Sequence, residues 1–172
     1  MAQITFKGSP VNTNGNLPAV GSNAIDFQLI ATDLSEVSLK DFANNNLVLN
    51  IFPSLDTSVC AASVIKFNKE VADLPDTIIL AISKDLPFAH ARFCPADSIE
   101  NVKPLSAFRN TDFENHYGIL MADGPLKGLF ARAVVVIDKK GKVIYTELVP
   151  EIAQEPNYMA AIASLKCTRS DL

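Results

Sequence analysis

Two short, almost wholly apolar runs, residues 47–52 and 77–83, bracket a stretch with helical periodicity. Between them Cys60, Val64, Phe67 and Val71 recur at spacings of four, three and four, which is one face of a helix. Pro53 closes the first run, Asp56, Thr57 and Ser58 are all suitable N-cap residues, and Pro75 is expected to stop the helix. Buried strand, helix, buried strand is a unit whose strands pair in parallel, because the connection must cross over.

The remaining elements assemble around that unit. Residues 3–22 carry turn signals (Gly8-Ser9-Pro10 and Asn14-Gly15-Asn16) around short apolar pieces, which fits an N-terminal β-hairpin. Residues 26–30 read as a strand and 34–42 as a connector, broken by Asn44-Asn45-Asn46. A second helix is expected over 87–93, with Cys94 at its end because Pro95 follows. Residues 131–137 form a strong strand, residues 138–142 turn tightly, and 143–149 return antiparallel. Residues 155–165 read as a last helix. There are no repeats or linkers, so one α/β domain is expected over 1–172.

Composition excludes several functions. With 48% hydrophobic and 20% charged residues in 172, the chain suits an ordinary soluble domain with a real core. A net charge of -4 argues against a nucleic-acid partner, and a turn accounts for the adjacent pair Lys139-Lys140. No apolar run approaches the roughly 20 residues that cross a membrane. The N-terminus lacks a basic start followed by an apolar stretch, so a cytoplasmic protein is expected, with the periplasm left open if a leader was removed.

The chemistry sits with the cysteines Cys60, Cys94 and Cys167. Three thiols at wide spacing are neither a secreted disulfide framework nor a CxxC pair, and they lack zinc-ligand spacing, so no metal or cofactor is expected. Ser54, Ser63 and Asp56 make no hydrolase triad without a G-x-S-x-G elbow. Cys60 opens a helix, where unpaired N–H groups and the positive end of the helix dipole favour thiolate over thiol. Thr57 can set its hydroxyl beside the sulfur, and Pro53 can wall the pocket from water. A Thr N-cap followed by an inert buried thiol fits the same residues, and pattern alone leaves both readings open. His90, one helical turn before Cys94, reads as a surface histidine, and His116 has no motif partner.

Pro-x-x-x-Thr-x-x-Cys at 53, 57 and 60, on a strand–helix–strand unit, resembles the peroxiredoxins and, within them, the bacterial thiol peroxidases. Asn50-Ile51-Phe52-Pro53-Ser54 leading to Cys60-Ala61-Ala62-Ser63 is similar to their active-site block. Asp85-Leu86-Pro87-Phe88-Ala89 with Arg92-Phe93-Cys94 is similar to their second-cysteine block, and 123–138 to a later one. Ser58 and Pro95 depart from the pattern, standing where a small residue such as glycine is expected; Pro95 stiffens the chain beside Cys94.

The resemblance implies a thioredoxin-like fold with a mixed central sheet flanked by helices, a homodimer, and recycling by thioredoxin. It implies that Cys60 attacks hydroperoxides to give a sulfenic acid, and that Cys94 resolves it as an intrachain disulfide. Arg132, otherwise readable as a surface arginine in a salt bridge, is placed beside Cys60. Disulfide formation would then require local unfolding at a helix end, since Cα atoms must come within about 7 Å. Cys167 is expected to be non-catalytic. The competing class is a thiol-based redox sensor or chaperone-like binder on the same scaffold.

Overall fold

The computed structural model describes residues 1–93 and 101–169. The strand–helix–strand unit is present as expected: β5 (Asn46–Ile51), α1 (Ser58–Glu70) and β6 (Thr77–Ser83), with β5 and β6 parallel in register from Asn46↔Thr77 to Ile51↔Ile82. The hairpin is β1 (Gln3–Phe6) with β2 (Ser9–Asn12), a separate two-stranded sheet. Its turn is Lys7-Gly8, both at positive φ (51° and 81°), the backbone that matches strand twist in a two-residue hairpin loop.

The main sheet adds β3 (Gln28–Ala31), β4 (Glu36–Ser38), β7 (Val102–Ser106), β8 (Ala133–Ile137) and β9 (Val143–Leu148), in the order β4-β3-β7-β6-β5-β8-β9. It is mixed: β5–β6 and β6–β7 are parallel, and the remaining pairs antiparallel. Helices α2 (Pro87–Phe93), α3 (Asp112–Tyr117) and α4 (Tyr158–Arg169) complete the layers.

Strand alternation sorts the core. Leu47, Leu49 and Ile51 pack with Val135, Phe113 and Tyr117 on the α3 side. Val48, Val134 and Val136 pack with Phe67 and Val71 of α1 and Tyr158, Ile162 and Leu165 of α4 on the other. Leu49, on the strand between β6 and β8, is 0% exposed. Leu49→Ala is therefore expected to cost about 3 kcal/mol of unfolding free energy, read as a lowered urea midpoint at unchanged slope.

Several boundaries differ from the sequence reading. The connector at 34–42 holds β4 and a 3-10 turn (Leu39–Phe42), because Asp41 folds back on the Ser38 backbone and hydroxyl. The strand expected at 26–30 starts two residues later, since the Asp26 carboxylate accepts from Phe27 N–H and Leu39 N–H. Strand β7 contains Pro104, which normally argues against a strand. It is tolerated because β3 pairs only with Leu105 and Ser106. Helix α1 ends at Glu70, before Pro75. Helix α4 starts at Tyr158 rather than 155, behind Pro156, and the Asn157 side chain accepts from Ala160 N–H. No described helix is long and apolar enough to cross a membrane.

Candidate active site at the first turn of α1

Strand β5 delivers the chain into a buried Pro53, and Thr57 then caps α1. Cys60 is the third residue of that helix, so its N–H is one of the donors an N-cap satisfies, and it donates to Thr57 Oγ1 at 3.4 Å. The Thr57 hydroxyl lies 2.6 Å from Cys60 Sγ and 3.1 Å from the Ser54 carbonyl. One side chain thus caps the helix and presents a donor to the sulfur. Cys60 is a free thiol with 0% exposure, packed with Phe52, Leu55, Val64 and Ala81, and Phe93 of α2 closes against this cluster. Thr57, whose hydroxyl adjoins the sulfur, is itself exposed.

A buried polar chain fixes that turn from below. Asn50 of β5 donates to Ser63 Oγ at 3.1 Å, and Ser63 donates to the Cys60 carbonyl at 2.7 Å. Asp85, after β6, fixes the preceding loop. Its carboxylate accepts from Ser54 Oγ (2.8 Å), Leu55 N–H (2.8 Å) and Ser83 Oγ (2.6 Å). Asp85 and Ser83 precede the helix expected over 87–93. Their part in holding the cysteine loop was missed because the partners lie about thirty positions away and carry no local pattern.

Arg132 sits immediately before β8, where the register Ile51↔Ala133 brings it opposite the end of β5. Alternation puts it on the face of Val134 and Val136, under α1 and α4. The surface salt-bridge alternative does not hold: Arg132 is 2% exposed, and no ion pair involves it among the described residues. Its Nε donates to the Ile152 carbonyl at 2.9 Å, and one terminal nitrogen is buried without a hydrogen-bond partner among the described residues. The Tyr158 hydroxyl is held above the ordinary phenol range, chiefly by burial and then by its hydrogen bond to Glu155. Arg132 opposes that shift and Cys60 adds to it, so both act on the same hydroxyl.

His90 is not a surface residue. It is 1% exposed, and its Nε2 lies 3.1 Å from Ser83 Oγ. Burial lowers its pKa to about 4, against the opposing pull of Asp85. The depressed value means that the unfolded chain binds a proton between pH 6.5 and about 4 that the folded chain does not. Stability from this group is therefore complete above pH 6.5 and is lost as pH falls toward 4, on the order of 3 kcal/mol in all. Urea midpoints between pH 7 and 4.5 are expected to fall less steeply for His90→Leu than for wild type.

Cys94 lies outside the described residues; the preceding Phe93, which packs against the Cys60 cluster, is the last described residue of α2. Cys167 is exposed on α4. Among the described residues, no three His, Cys, Asp or Glu side chains converge as a metal site would require.

The family model described as Redoxin matches residues 19–162. The chain belongs to the Redoxin family. Its relatives include a thiol peroxidase from Corynebacterium glutamicum, 57% identical over 165 residues, 96% of this chain and 99% of that protein. The thiol peroxidase of Mycobacterium tuberculosis is 56% identical over the same coverage. Among solved structures, a peroxiredoxin-like protein from Aquifex aeolicus superposes with TM-score 0.89 at 40% identity, covering 96% of each chain. The thiol peroxidase from Chromobacterium violaceum gives TM-score 0.90 at 20% identity over 99% of this chain and 98% of its own, a likeness of fold. The expected α/β, thioredoxin-like fold with its N-terminal strand pair is thus the Redoxin fold of this chain.

Proposed function

We propose that this chain is a thiol-dependent peroxidase that reduces hydrogen peroxide and organic hydroperoxides. The observation that carries the reading is the Thr57 hydroxyl 2.6 Å from a free Cys60 sulfur, at the donor-rich first turn of α1. The Cys60 thiolate attacks the terminal peroxide oxygen. The O–O bond breaks, an alcohol or water leaves after taking up a proton, and sulfur becomes a sulfenic acid. Charge spreads over sulfur and two oxygens in that step. The Thr57 hydroxyl, which donates to the sulfur, and the Arg132 nitrogen that has no partner among the described residues are the donors assigned to it. Pro53 supplies a wall without an N–H that water or peroxide could engage.

Cys94 then attacks the sulfenic sulfur, forming the Cys60–Cys94 disulfide and releasing water. Phe93 packs on the Cys60 cluster, so release of the end of α2 uncovers Cys60. A dithiol protein of the thioredoxin type restores both thiols by exchange. The exposed Leu86 just before α2 and Phe88 within it (52% and 66%), with Phe108 after β7 (42%), present apolar surface suited to a second copy of the chain. A reducing cytoplasm suits a cycle that needs Cys60 returned to the thiol.

The test is peroxide consumption with thioredoxin, thioredoxin reductase and NADPH, in wild type and Cys94→Ser. Wild type is expected to turn over, and Cys94→Ser to stop at oxidised Cys60. Wild type that consumes one equivalent of peroxide and then stops is a sensor.

A further inference from the structure

Arg132 is nearly enclosed, yet its only described side-chain hydrogen bond is the one from Nε to the Ile152 carbonyl. A long side chain with rotamer freedom needs more than one anchor, or an anchor that is itself rigid. The segment carrying Ile152 belongs to no helix or strand of the main sheet. It is held by the N-terminal hairpin. Thr5 N–H donates to the Pro150 carbonyl at 2.7 Å, and Ile152 N–H donates to the Thr5 carbonyl at 3.0 Å, which makes Thr5 and Glu151 a parallel bridge across 146 positions of sequence.

Glu151 locks the two pieces together. Its carboxylate accepts from the Thr5 hydroxyl, from Lys7 N–H at 3.0 Å and from Gly8 N–H at 3.3 Å, so it ties down the hairpin turn itself. It also accepts from Ala153 N–H at 3.4 Å, on its own segment. Apolar packing repeats the connection: Ile4 and Val11 of the hairpin share a buried cluster with Ala131, the neighbour of Arg132, and with Ile152. Two contacts, one polar and one apolar, therefore run from the hairpin to Ile152, whose carbonyl holds the guanidinium, and to Ala131, the chain neighbour of Arg132.

We propose that Glu151, with Thr5, is a positioning residue for Arg132, and that the N-terminal hairpin acts as the buttress that aims the arginine at the peroxide through the Ile152 carbonyl. This rests on the reading of Arg132 as a donor to the reacting oxygens. Loosening the latch lets the segment 150–153 shift, and a shift of about 1 Å in an aiming group can cost up to about a hundredfold in rate. Reduction of the disulfide does not use Arg132, so the thioredoxin half of the cycle stays unaffected.

The experiment measures kcat/KM for peroxide and kcat/KM for thioredoxin separately in the coupled assay, on the full chain. Glu151→Ala and Thr5→Val are expected to lower the peroxide value on the order of tenfold and leave the thioredoxin value unchanged. Glu151→Gln keeps an acceptor oxygen and is expected to recover most of the rate. The same latch substitutions are then made in an Arg132→Ala background, where they are expected to cost nothing further. Equal slowing with and without Arg132, or no slowing in the wild-type background, overturns the proposal. If Glu151→Ala fails to fold, Thr5→Val, which removes only a hydroxyl, carries the same comparison. If Arg132→Ala alone leaves the peroxide value unchanged, the role of Arg132 fails first, and that result is distinct from a working arginine that ignores its latch.

Discussion

Cys60→Ser is expected to abolish peroxide turnover, a loss of at least about a thousandfold, with the fold intact. A serine hydroxyl is not ionised near neutral pH, so the donors at the helix start have no anion to favour. The replacement is nearly isosteric in a site with 0% exposure, and the new hydroxyl has the Thr57 oxygen beside it as a partner. Burial without an orphaned group leaves circular dichroism and the urea midpoint close to wild type. That combination separates lost chemistry from lost structure. Activity retained by Cys60→Ser would mean that Cys94 or Cys167 carries the reaction. A buried nucleophile also bears on substrate: Cys60 packs among Phe52, Leu55 and Val64, with Phe93 against them, an apolar setting.

The strand–helix–strand unit was legible because each of its signals is local. Apolar runs, a four-three-four spacing and a Thr N-cap are all written within a single element, and β5, α1 and β6 follow them closely. The elements that went unread are those whose reason is distant. Strand β4 has three residues, and β7 contains a proline whose acceptability depends on where β3 stops pairing. Helix α3 is a six-residue piece with only Phe113 and Tyr117 to mark its buried face; it ends at Gly118, φ 64°, where a Cβ would meet the Asn16 backbone at 2.4 Å. The site divides in the same way. Thr57 and Cys60 are one turn apart and were readable as a pair. The burial of Arg132 and His90, and the grip of Asp85 on the cysteine loop, depend on tertiary register. A lone histidine in a short helix carries no local sign of being buried.

Thr57→Val is expected to lower kcat/KM for peroxide by about a hundredfold and to cost about 1 kcal/mol of stability, and the two effects are separable. The substitution keeps the shape but removes the hydroxyl that faces Sγ at 2.6 Å and accepts from Cys60 N–H at 3.4 Å. Loss of the accepting role uncaps α1, which a urea midpoint reads. Loss of the donating role leaves the developing charge on sulfur and oxygen one donor short, which only the peroxide half of the cycle reads. Thr57→Ser retains both roles and is expected to retain most of both properties. Thr57→Asp divides them: a carboxylate is among the better N-caps and favours the positive end of the helix, so stability returns. The same carboxylate cannot donate and repels the thiolate, so the peroxide rate stays low. A Thr57→Asp variant as fast as wild type would leave Thr57 a helix cap with no part in the chemistry, and the positive end of α1 and Arg132 would then be the only groups left to stabilise the transition state.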